Sequence, residues 1–268
     1  MSNGVCVLAQ NNNTTNYVQQ AYALALSILS NTPDTNISIV TNDTIPTAYK
    51  DVFDQVISIP WSDSASKTSW KIENRWKLYH VTPYTDTLVF DVDMLALDSI
   101  APVWKNIDPF IFTNTVYTYR NELITSRYYR KTFDSNNLPN IYTGMYKFSK
   151  SEKTKEFFIL LEIIMKNWKV FYKKYAPKDI QNWNSVDLSA AIALKILNCN
   201  INNRLTFTHM KTQVQNWQYV PSKWTDVLPV DFGNDALYIG GYKQSGVFHY
   251  VEDEFLTADI INWLEERV

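Results

Sequence analysis

Short apolar runs and segments of helical periodicity alternate along the N-terminal part of the chain. The runs at residues 5–9, 37–41 and 56–60 each predict a short buried strand. Residues 17–29 place apolar side chains at helical spacing, and residues 73–80 predict a second helix. Strands that alternate with helices in this way favour an α/β fold, in which a Rossmann-like, mostly parallel sheet is flanked by helices.

The C-terminal part of the chain has a less regular pattern. Further strands are predicted at residues 110–119, 142–148, 205–209, 237–239 and 247–251, and further helices at residues 151–170, 186–197 and 257–266. Ser151 is positioned to cap the first of these helices. The sequence has no Gly/Ser-rich linker and no internal repeat. Residues 1–268 are therefore predicted to form one domain with an irregular C-terminal half.

The composition is that of a globular protein without strong attraction to polyanions. Of the 268 residues, 46% are hydrophobic and 19% are charged, and the formal net charge is −2. A chain of this length buries enough surface to fold without disulfides or metals, and its charge excludes binding to nucleic acid or membranes by bulk positive charge. Cys6 and Cys199 are interpreted as reduced thiols of an intracellular protein.

No targeting or membrane segment is expected. The N-terminus lacks the basic region and the long apolar core of a signal peptide. The most apolar stretch, residues 157–165, is interrupted by Glu162 and is too short to span a bilayer. The chain is therefore predicted to be soluble and cytoplasmic.

The most informative candidate site is the pair Asp91 and Asp93, which interrupts the apolar run at residues 87–97. In an extended chain, residues i and i+2 point the same way, roughly 6–7 Å apart. The pair would lie at the carboxyl end of a buried strand, where open α/β sheets bind ligands. Because unpaired buried carboxylates are costly, the two groups meet either water or a cation. Oxygen ligands select Mg²⁺ or Mn²⁺, which commonly partner a diphosphate. The alternative is two acids in an ordinary strand-to-loop turn.

The segment from Pro83 to Leu97 resembles the region around the metal-binding Asp-x-Asp motif of nucleotide-sugar-dependent glycosyltransferases with the GT-A fold. It is most similar to the glycogenin-like retaining group, glycosyltransferase family 8. Other stretches resemble this group in the same order: 7–11 and 17–29 its first strand, nucleotide loop and helix, 141–148 its acceptor-side segment, 186–191 a helix start that carries an acid, and 246–250 its late metal-ligand strand. The overall sequence pattern also resembles that of glycosyltransferase-like proteins of large tailed phages. This resemblance would place the protein in the host cytoplasm.

The resemblance implies a GT-A fold with a nucleotide-binding half at 1–98 and an acceptor-side half at 99–268. It implies that Asp91 and Asp93 bind Mn²⁺ or Mg²⁺ with His249 as the third ligand, and His209 is the rival third ligand. For the nucleotide-sugar donor, expected to be a UDP-sugar, the implied contacts are Ala9, Gln10, Asn11, Tyr17, Lys71 and Arg75. The implied acceptor-side residues are Tyr142, Gly144, Arg127 and Arg130.

Asp187 is the candidate catalytic residue. By the resemblance it orients the acceptor or stabilises an oxocarbenium-like transition state. The alternative is an ordinary acid in the first turn of a helix. The sequence departs from the family pattern at Tyr142, where Asn is frequent, at Leu188, where Gln is frequent, and at 251–254, where a Gly and a Lys usually follow the late His.

The sequence does not identify the acceptor. Tyrosines and basic residues are concentrated between residues 117 and 131, and such a stretch suits stacking on sugars or unpaired bases. A hydroxylated base of phage DNA is therefore one candidate. A solvated surface is the plain alternative.

Three further functions compete with sugar transfer. A nucleotidyltransferase is disfavoured because residues 10–15 lack the glycine and basic residues that grip a triphosphate. A phosphatase of the haloacid-dehalogenase type would carry its Asp-x-Asp motif near the start of the chain, with Thr or Val where Leu95 stands. The last alternative is a phage component that binds glycans without catalysis.

Overall fold

The structure is a computed structural model that describes residues 2–124, 130–199, 201, 204–210, 223–233 and 236–268. Its strands are β1 Asn3–Leu8, β2 Ile37–Val40, β3 Gln55–Ile57, β4 Asp86–Phe90, β5 Met94–Ala96, β6 Phe110–Tyr117, β7 Tyr142–Ser149, β8 Arg204–His209, β9 Val230–Gly233, β10 Ala236–Ile239, β11 Tyr242–Lys243 and β12 Val247–His249. Its α-helices are α1 Tyr17–Asn31, α2 Leu78–Val81, α3 Ala101–Trp104, α4 Lys131–Ser135, α5 Glu152–Lys166, α6 Trp168–Tyr175, α7 Val186–Ile196, α8 Trp224–Val227 and α9 Ala258–Glu265. Short 3₁₀ helices cover Thr47–Val52, Ile72–Lys77 and Asp253–Phe255.

The predicted α/β architecture is confirmed. Within the described residues, nine strands form one sheet in the order β3-β2-β1-β4-β7-β6-β8-β12-β5, and β11-β10-β9 form a small second sheet. The pairs β1–β2, β1–β4, β2–β3, β6–β8 and β8–β12 are parallel. The pairs β4–β7, β6–β7 and β5–β12 are antiparallel. The sheet is therefore mixed and mostly parallel, and its last strand along the chain returns to pair with β5.

The start of the chain forms its predicted elements for local reasons. Strand β1 is almost wholly buried, and the Asn16 side chain caps α1 by accepting a hydrogen bond from the Gln19 amide at 3.0 Å. Helix α1 packs on β5, where Ser27 Oγ accepts a hydrogen bond from the Ala96 amide at 2.9 Å. Helix α1 is therefore fixed both at its N-terminus and against the sheet.

Two predicted helices differ from the structure. The segment 151–170 contains two helices that meet at Asn167, whose side chain donates to the Ile163 carbonyl at 2.9 Å and so competes with the backbone. The segment 73–80 is a 3₁₀ helix followed by a single α-helical turn. There, Lys71 has a left-handed backbone and the buried Asn74 side chain is directed to other parts of the chain.

The predicted strand at residues 87–97 is also divided. Strand β4 ends at Phe90, and the turn that follows contains both Asp91 and Asp93 before β5 begins. The chain turns here because β5 follows β4 in sequence but does not pair with it. Strand β5 instead pairs with β12 at the far edge of the sheet. The two acids therefore lie in a turn and not along a continuous strand.

Cys6 and Cys199 are both free and buried. Burial raises the pKa of the Cys6 thiol to about 12.

Within the described ranges, no helix combines the length and hydropathy that a bilayer crossing requires.

Candidate metal and donor site

Three side chains from distant parts of the chain meet at one edge of the sheet. Asp91 and Asp93 come from the turn after β4, and His249 is the last residue of β12. The register of β12 against β5 places His249 opposite Met94, directly after Asp93. One nitrogen or oxygen atom from each side chain lies within 4.8 Å of the others, and this is the only group of three or more potential metal ligands among the described residues.

The imidazole of His249 is the most enclosed member of this group. Its Nε2 lies 2.9 Å from Asp93 Oδ2. Its buried Nδ1 has no hydrogen-bond partner within the described part of the chain. Burial acts to raise the pKa of Asp93, but the nearby His249 and Arg75 outweigh burial and hold that pKa below its ordinary value. The site therefore favours an ionised carboxylate beside an unsatisfied imidazole nitrogen.

Arg75 occupies the other side of the pair. Its Nη2 contacts Asp91 Oδ1, and its Nη1 donates to the Thr143 carbonyl at 3.3 Å. Both charged groups are partly exposed, so the pair faces the open side of the site. The predicted contact of Arg75 with a donor phosphate or sugar is geometrically accessible.

Gly144 packs directly against the first aspartate. The Asp91 amide donates to the Gly144 carbonyl at 2.6 Å. A Cβ atom at position 144 would lie 3.0 Å from Asp91 Oδ2 and 2.9 Å from Met94 Cε. Any side chain at position 144 would therefore require the Met94 or Asp91 side chain to shift.

A cleft of about 150 Å³ opens beside the two aspartates. It is lined by Leu8, Gln10, Tyr17, Trp70, Lys71, Arg75, Asp91, Val92 and Asp93. The cleft lies where β1 and β4 end, which is the binding edge of an open α/β sheet. Burial and the negative charge of Asp93 raise the pKa of Tyr17, so its hydroxyl stays neutral as it faces the cleft.

A second cleft of about 630 Å³, lined by polar residue types, shares Lys71 with the first. Its walls are Asn11, Asn12, Asn13, Thr14 and Asp43 on one side and residues 66–69 with Lys71 on the other. Amide and hydroxyl groups dominate these walls, and such groups suit the polar edges of a nucleoside. The two clefts together extend from the aspartates to the loop after β1.

Several groups predicted to contact the nucleotide are engaged within the protein. The Ala9 amide donates to the Val40 carbonyl at 3.0 Å, and Ala9 is completely buried. The Asn11 amide donates to Asp43 at 2.7 Å, and Asn11 Oδ1 accepts from the Val18 amide at 3.0 Å. These groups shape the cleft wall.

Gln10 and Lys71 are likewise held by the loop that follows β3. Gln10 Nε2 donates to Asp63 at 3.0 Å, and Gln10 Oε1 accepts from Asn74 at 2.7 Å. Lys71 Nζ donates to the Ala65 carbonyl at 3.0 Å and to a neighbouring carbonyl. Both residues line the cleft, but their polar atoms tie the loop to its floor.

The candidate catalytic acid, Asp187, is embedded in a polar network. Ser185 caps helix α7, and Asp187 lies in its first turn. Its Oδ1 accepts from the Thr143 amide at 2.7 Å and from Thr143 Oγ1 at 2.6 Å. Its Oδ2 lies 2.6 Å from Arg130 Nη1. Because the Thr143 carbonyl also contacts Arg75, the network joins Asp187 to the aspartate site.

Arg130 is buried, in contrast to the expectation of a residue that meets an acceptor. Its guanidinium carbon lies 3.9 Å from the ring centroids of both Phe133 and Tyr142. It also donates to the Asn140 side chain at 2.9 Å and to the Ile141 carbonyl. Arg130 and Tyr142 therefore form a structural layer behind Asp187, and Arg127 lies outside the described residues.

The two other histidines lie outside the ligand group. The His209 ring is centred 4.7 Å from the ring of His249 and packs near Phe207. His80 belongs to an aromatic cluster with Trp61 and Trp76. Among the described residues, the geometry therefore groups only His249 with the two aspartates.

Sequence reasoning missed three residues that shape the site. Trp70 lines the cleft, Asn74 is completely buried beneath it, and Thr143 links Asp187 to Arg75. Trp70 could have been found from the sequence, because it directly precedes Lys71, which was already assigned to the donor site. Asn74 and Thr143 had no such signal because their partners are distant in sequence.

Comparisons with known proteins agree with this architecture. No family model and no curated protein matches the sequence. The fold is similar to that of the galactosyltransferase LgtC, solved with donor and acceptor sugar analogues, at a TM-score of 0.54 and 15% identity over 99% of this chain and 95% of that one. It is also similar to mouse xyloside xylosyltransferase 1, at a TM-score of 0.52 and 12% identity over 92% of this chain and 97% of that one. At this identity the likeness shows a shared GT-A glycosyltransferase fold.

Proposed function

We propose that the protein is a metal-dependent glycosyltransferase that moves a sugar from a nucleotide-sugar donor to an acceptor hydroxyl. The observation that supports this proposal most directly is the group of Asp91, Asp93 and His249 at the binding edge of a GT-A fold. A UDP-sugar is the first donor to test, and Mn²⁺ or Mg²⁺ is the proposed metal. The proposal accounts for why two carboxylates, an imidazole and a cationic Arg75 converge on one cleft.

The donor set fits a divalent cation. Two carboxylate oxygens and one imidazole nitrogen suit Mn²⁺, and the unsatisfied Nδ1 of His249 is a buried polar atom that lacks a hydrogen bond among the described residues. We propose Asp91, Asp93 and His249 as the residues that hold the metal. When bound, the metal would supply charge stabilisation for the leaving diphosphate.

The other cleft residues fit a nucleotide sugar. Arg75 is partly exposed, and its guanidinium is suited to a phosphate oxygen or a sugar hydroxyl. Tyr17 and Trp70 present aromatic faces at the cleft wall. We propose that the nucleoside extends into the polar cleft beside Asn11 and Asp43. Gln10 and Lys71 then act by shaping the cleft, since their polar atoms bind the loop.

Asp187 is best explained as a positioning acid. Its carboxylate holds the Thr143 amide and hydroxyl, and Arg130 fixes it from behind. We propose that Asp187 sets the start of β7 so that Thr143 and Gly144 hold Arg75 and Asp91 in place. Its side chain is 24% exposed, which leaves room for a contact with the acceptor.

A saccharide acceptor fits the described residues better than DNA. Of the two arginines assigned to the acceptor side, Arg130 is buried in an ion pair and therefore cannot reach a DNA phosphate. The formal charge of −2 also gives no long-range attraction to a polyanion. We therefore propose that the acceptor hydroxyl belongs to a saccharide.

Nucleotide and metal binding test the proposal directly. Thermal unfolding is measured with UDP, GDP, ADP and CMP, each with and without Mn²⁺, and slow hydrolysis of UDP-sugars is followed by product analysis. We expect stabilisation by UDP only when Mn²⁺ is present, and its loss in Asp93→Ala. Asp231→Asn, which removes an exposed carboxylate on β9, is the matched control and retains the effect. Absence of nucleotide-dependent stabilisation with every metal would contradict the proposal.

A further inference from the structure

The segment from Pro60 to Lys71, here called the tryptophan loop, carries an exposed indole near each end. The side chain of Trp61 is 65% exposed and that of Trp70 is 63% exposed. Trp70 lines the cleft beside Asp91 and Asp93, whereas Trp61 lies at the other end of the loop. Single exposed apolar side chains are common on protein surfaces, so exposure by itself does not indicate a partner.

A buried lysine holds the backbone on both sides of Trp61. Lys77 is only 2% exposed, and its Nζ donates to the Pro60 carbonyl at 3.0 Å and to the Ser62 carbonyl at 2.5 Å. Trp61 has a φ of 56°, which is a left-handed backbone that a bulky residue rarely adopts. Strain of this kind persists only where the surrounding structure fixes it, and it is frequent at binding sites. The buried ammonium therefore holds the indole at the surface.

One face of the Trp61 indole is supported from within the protein. The rings of Trp61 and Trp76 are stacked, with centroids 5.5 Å apart and planes inclined by 10°. His80 contacts Trp61 edge-on at 5.2 Å. Because Trp76 is buried while Trp61 is mostly exposed, the second face of the Trp61 ring is open to solvent. The arrangement is a rigid, flat apolar surface.

Polar side chains lie beside the Trp76 ring, which supports this surface from within. Lys166 lies 5.1 Å from the Trp76 ring, and its Nζ is 2.6 Å from Glu162 on the same helix. A pyranose ring presents C–H groups on one face and hydroxyls around its edge, so it needs an apolar plane with hydrogen-bonding groups beside it. Single-stranded nucleic acid instead requires a cationic groove along its backbone, which the Glu162 carboxylate opposes.

The tryptophan loop is also fixed to the floor of the cleft. Asp63 accepts from Gln10 at 3.0 Å and from the buried Asn74 at 2.6 Å. Lys71 at the end of the loop has a φ of 56° and binds the Ala65 carbonyl. One rigid segment therefore connects Trp61 to the proposed active site.

We propose that Trp61 is a stacking site for a saccharide ring of an extended acceptor whose reacting end lies at the cleft near Trp70. The acceptor role rests on the proposed function, whereas saccharide stacking on Trp61 stands without it. A single sugar would contact only one end of the loop. A longer saccharide would contact both, so chain length should matter for binding.

Fluorine NMR of the protein labelled with 5-fluorotryptophan tests this inference. Trp61→Phe identifies the Trp61 signal among the nine tryptophans, and the labelled protein is titrated with glucose, maltohexaose, cellohexaose, chitohexaose and oligothymidine. We expect at least one hexasaccharide to shift the Trp61 signal, and its affinity to fall at least tenfold in Trp61→Ala. Tyr242→Ala, which removes an exposed aromatic ring from the small sheet, is the control and leaves that affinity unchanged.

The outcomes separate this inference from the proposed function. No shift of the Trp61 signal with any hexasaccharide, a shift with oligothymidine alone, or undiminished saccharide binding in Trp61→Ala would overturn it. Binding of UDP and Mn²⁺ is measured on the same variants and should be unaffected by Trp61→Ala. If the protein shifts the Trp61 signal with a saccharide but binds no nucleotide, the proposed function fails and the saccharide site stands.

Discussion

Arg130 donates to Asp187 across 2.6 Å, with the guanidinium between the rings of Phe133 and Tyr142. The pair connects the start of α4 to the first turn of α7. Because the Asp187 carboxylate also binds Thr143, the pair fixes the beginning of β7 beside the aspartate site. The acid that the sequence predicts to be catalytic is therefore also a structural link to the site.

Removal of the arginine should therefore destabilise the fold. Arg130→Met leaves the Asp187 carboxylate without its cation, and we expect the free energy of unfolding to fall by roughly 2–4 kcal/mol, somewhat less than for a fully buried pair. Urea unfolding measures the loss. Lys131→Met is the matched control, because Lys131 pairs with Asp179 at the surface and exposed pairs of this kind contribute little to stability. Equal losses in the two variants would contradict the structural role of Arg130.

A side chain at position 144 should disturb the aspartate site. In Gly144→Ala, the new Cβ would contact Met94 Cε and Asp91 Oδ2 at close range, so these two side chains must shift. We expect a loss of about 1–3 kcal/mol of stability and weaker Mn²⁺ binding. Thermal unfolding and Mn²⁺ electron paramagnetic resonance measure the two effects. Gly233→Ala is the control, because no atom of the residues that the structure describes lies within 4 Å of its added Cβ. A Gly144→Ala protein with unchanged metal affinity would show that Asp91 needs no fixed position.

The choice between the two late histidines is testable by metal binding alone. His249→Gln should weaken Mn²⁺ binding at least tenfold, equal to about 1.4 kcal/mol, because it removes the imidazole beside Asp93. His209→Gln should change it by less than about threefold, since His209 packs against the His249 ring and lies outside the ligand group. Mn²⁺ titration followed by electron paramagnetic resonance compares them. A larger loss in the His209 variant would reverse the assignment.

The tryptophan loop should give the fold a specific sensitivity to acid. Burial opposes ionisation of Asp63, but hydrogen bonds from Asn74, the Ala65 amide and Gln10 outweigh it and lower the pKa of Asp63. A carboxyl whose pKa is lower in the folded state stabilises the fold above its ordinary pKa of about 3.9, and this stabilisation is lost as the pH falls through the folded-state value.

Asp63→Asn should therefore flatten the pH dependence of stability. Urea midpoints measured from about pH 5 to about pH 3 should fall less steeply in this variant than in the native protein. Asp231→Asn removes an exposed carboxylate elsewhere and serves as the control. Identical slopes in the native protein and Asp63→Asn would show that Asp63 does not couple protonation to folding.

The sequence predicted those parts of the fold that depend on near neighbours. Apolar periodicity identified α1 and α7, and the predicted cap at Ser151 has the expected hydrogen bonds. The same local logic missed the turn after Phe90, because that turn depends on where β5 pairs. It also missed the break at Asn167, where a side-chain hydrogen bond competes with the helix. Prediction succeeded where a few adjacent residues carry the signal.

What the sequence determined by itself is the α/β class, its helical and extended segments and the Asp-x-Asp pair, since hydrophobic spacing and charge are encoded locally. Only the tertiary structure decided the partners: His249 beside Asp93, Arg130 behind Asp187, and Lys77 beneath Trp61. The first two contacts arise because β12 inserts between β8 and β5 and because α7 packs behind β7. Such long-range pairings depend on the order of strands in the sheet, which no local pattern specifies.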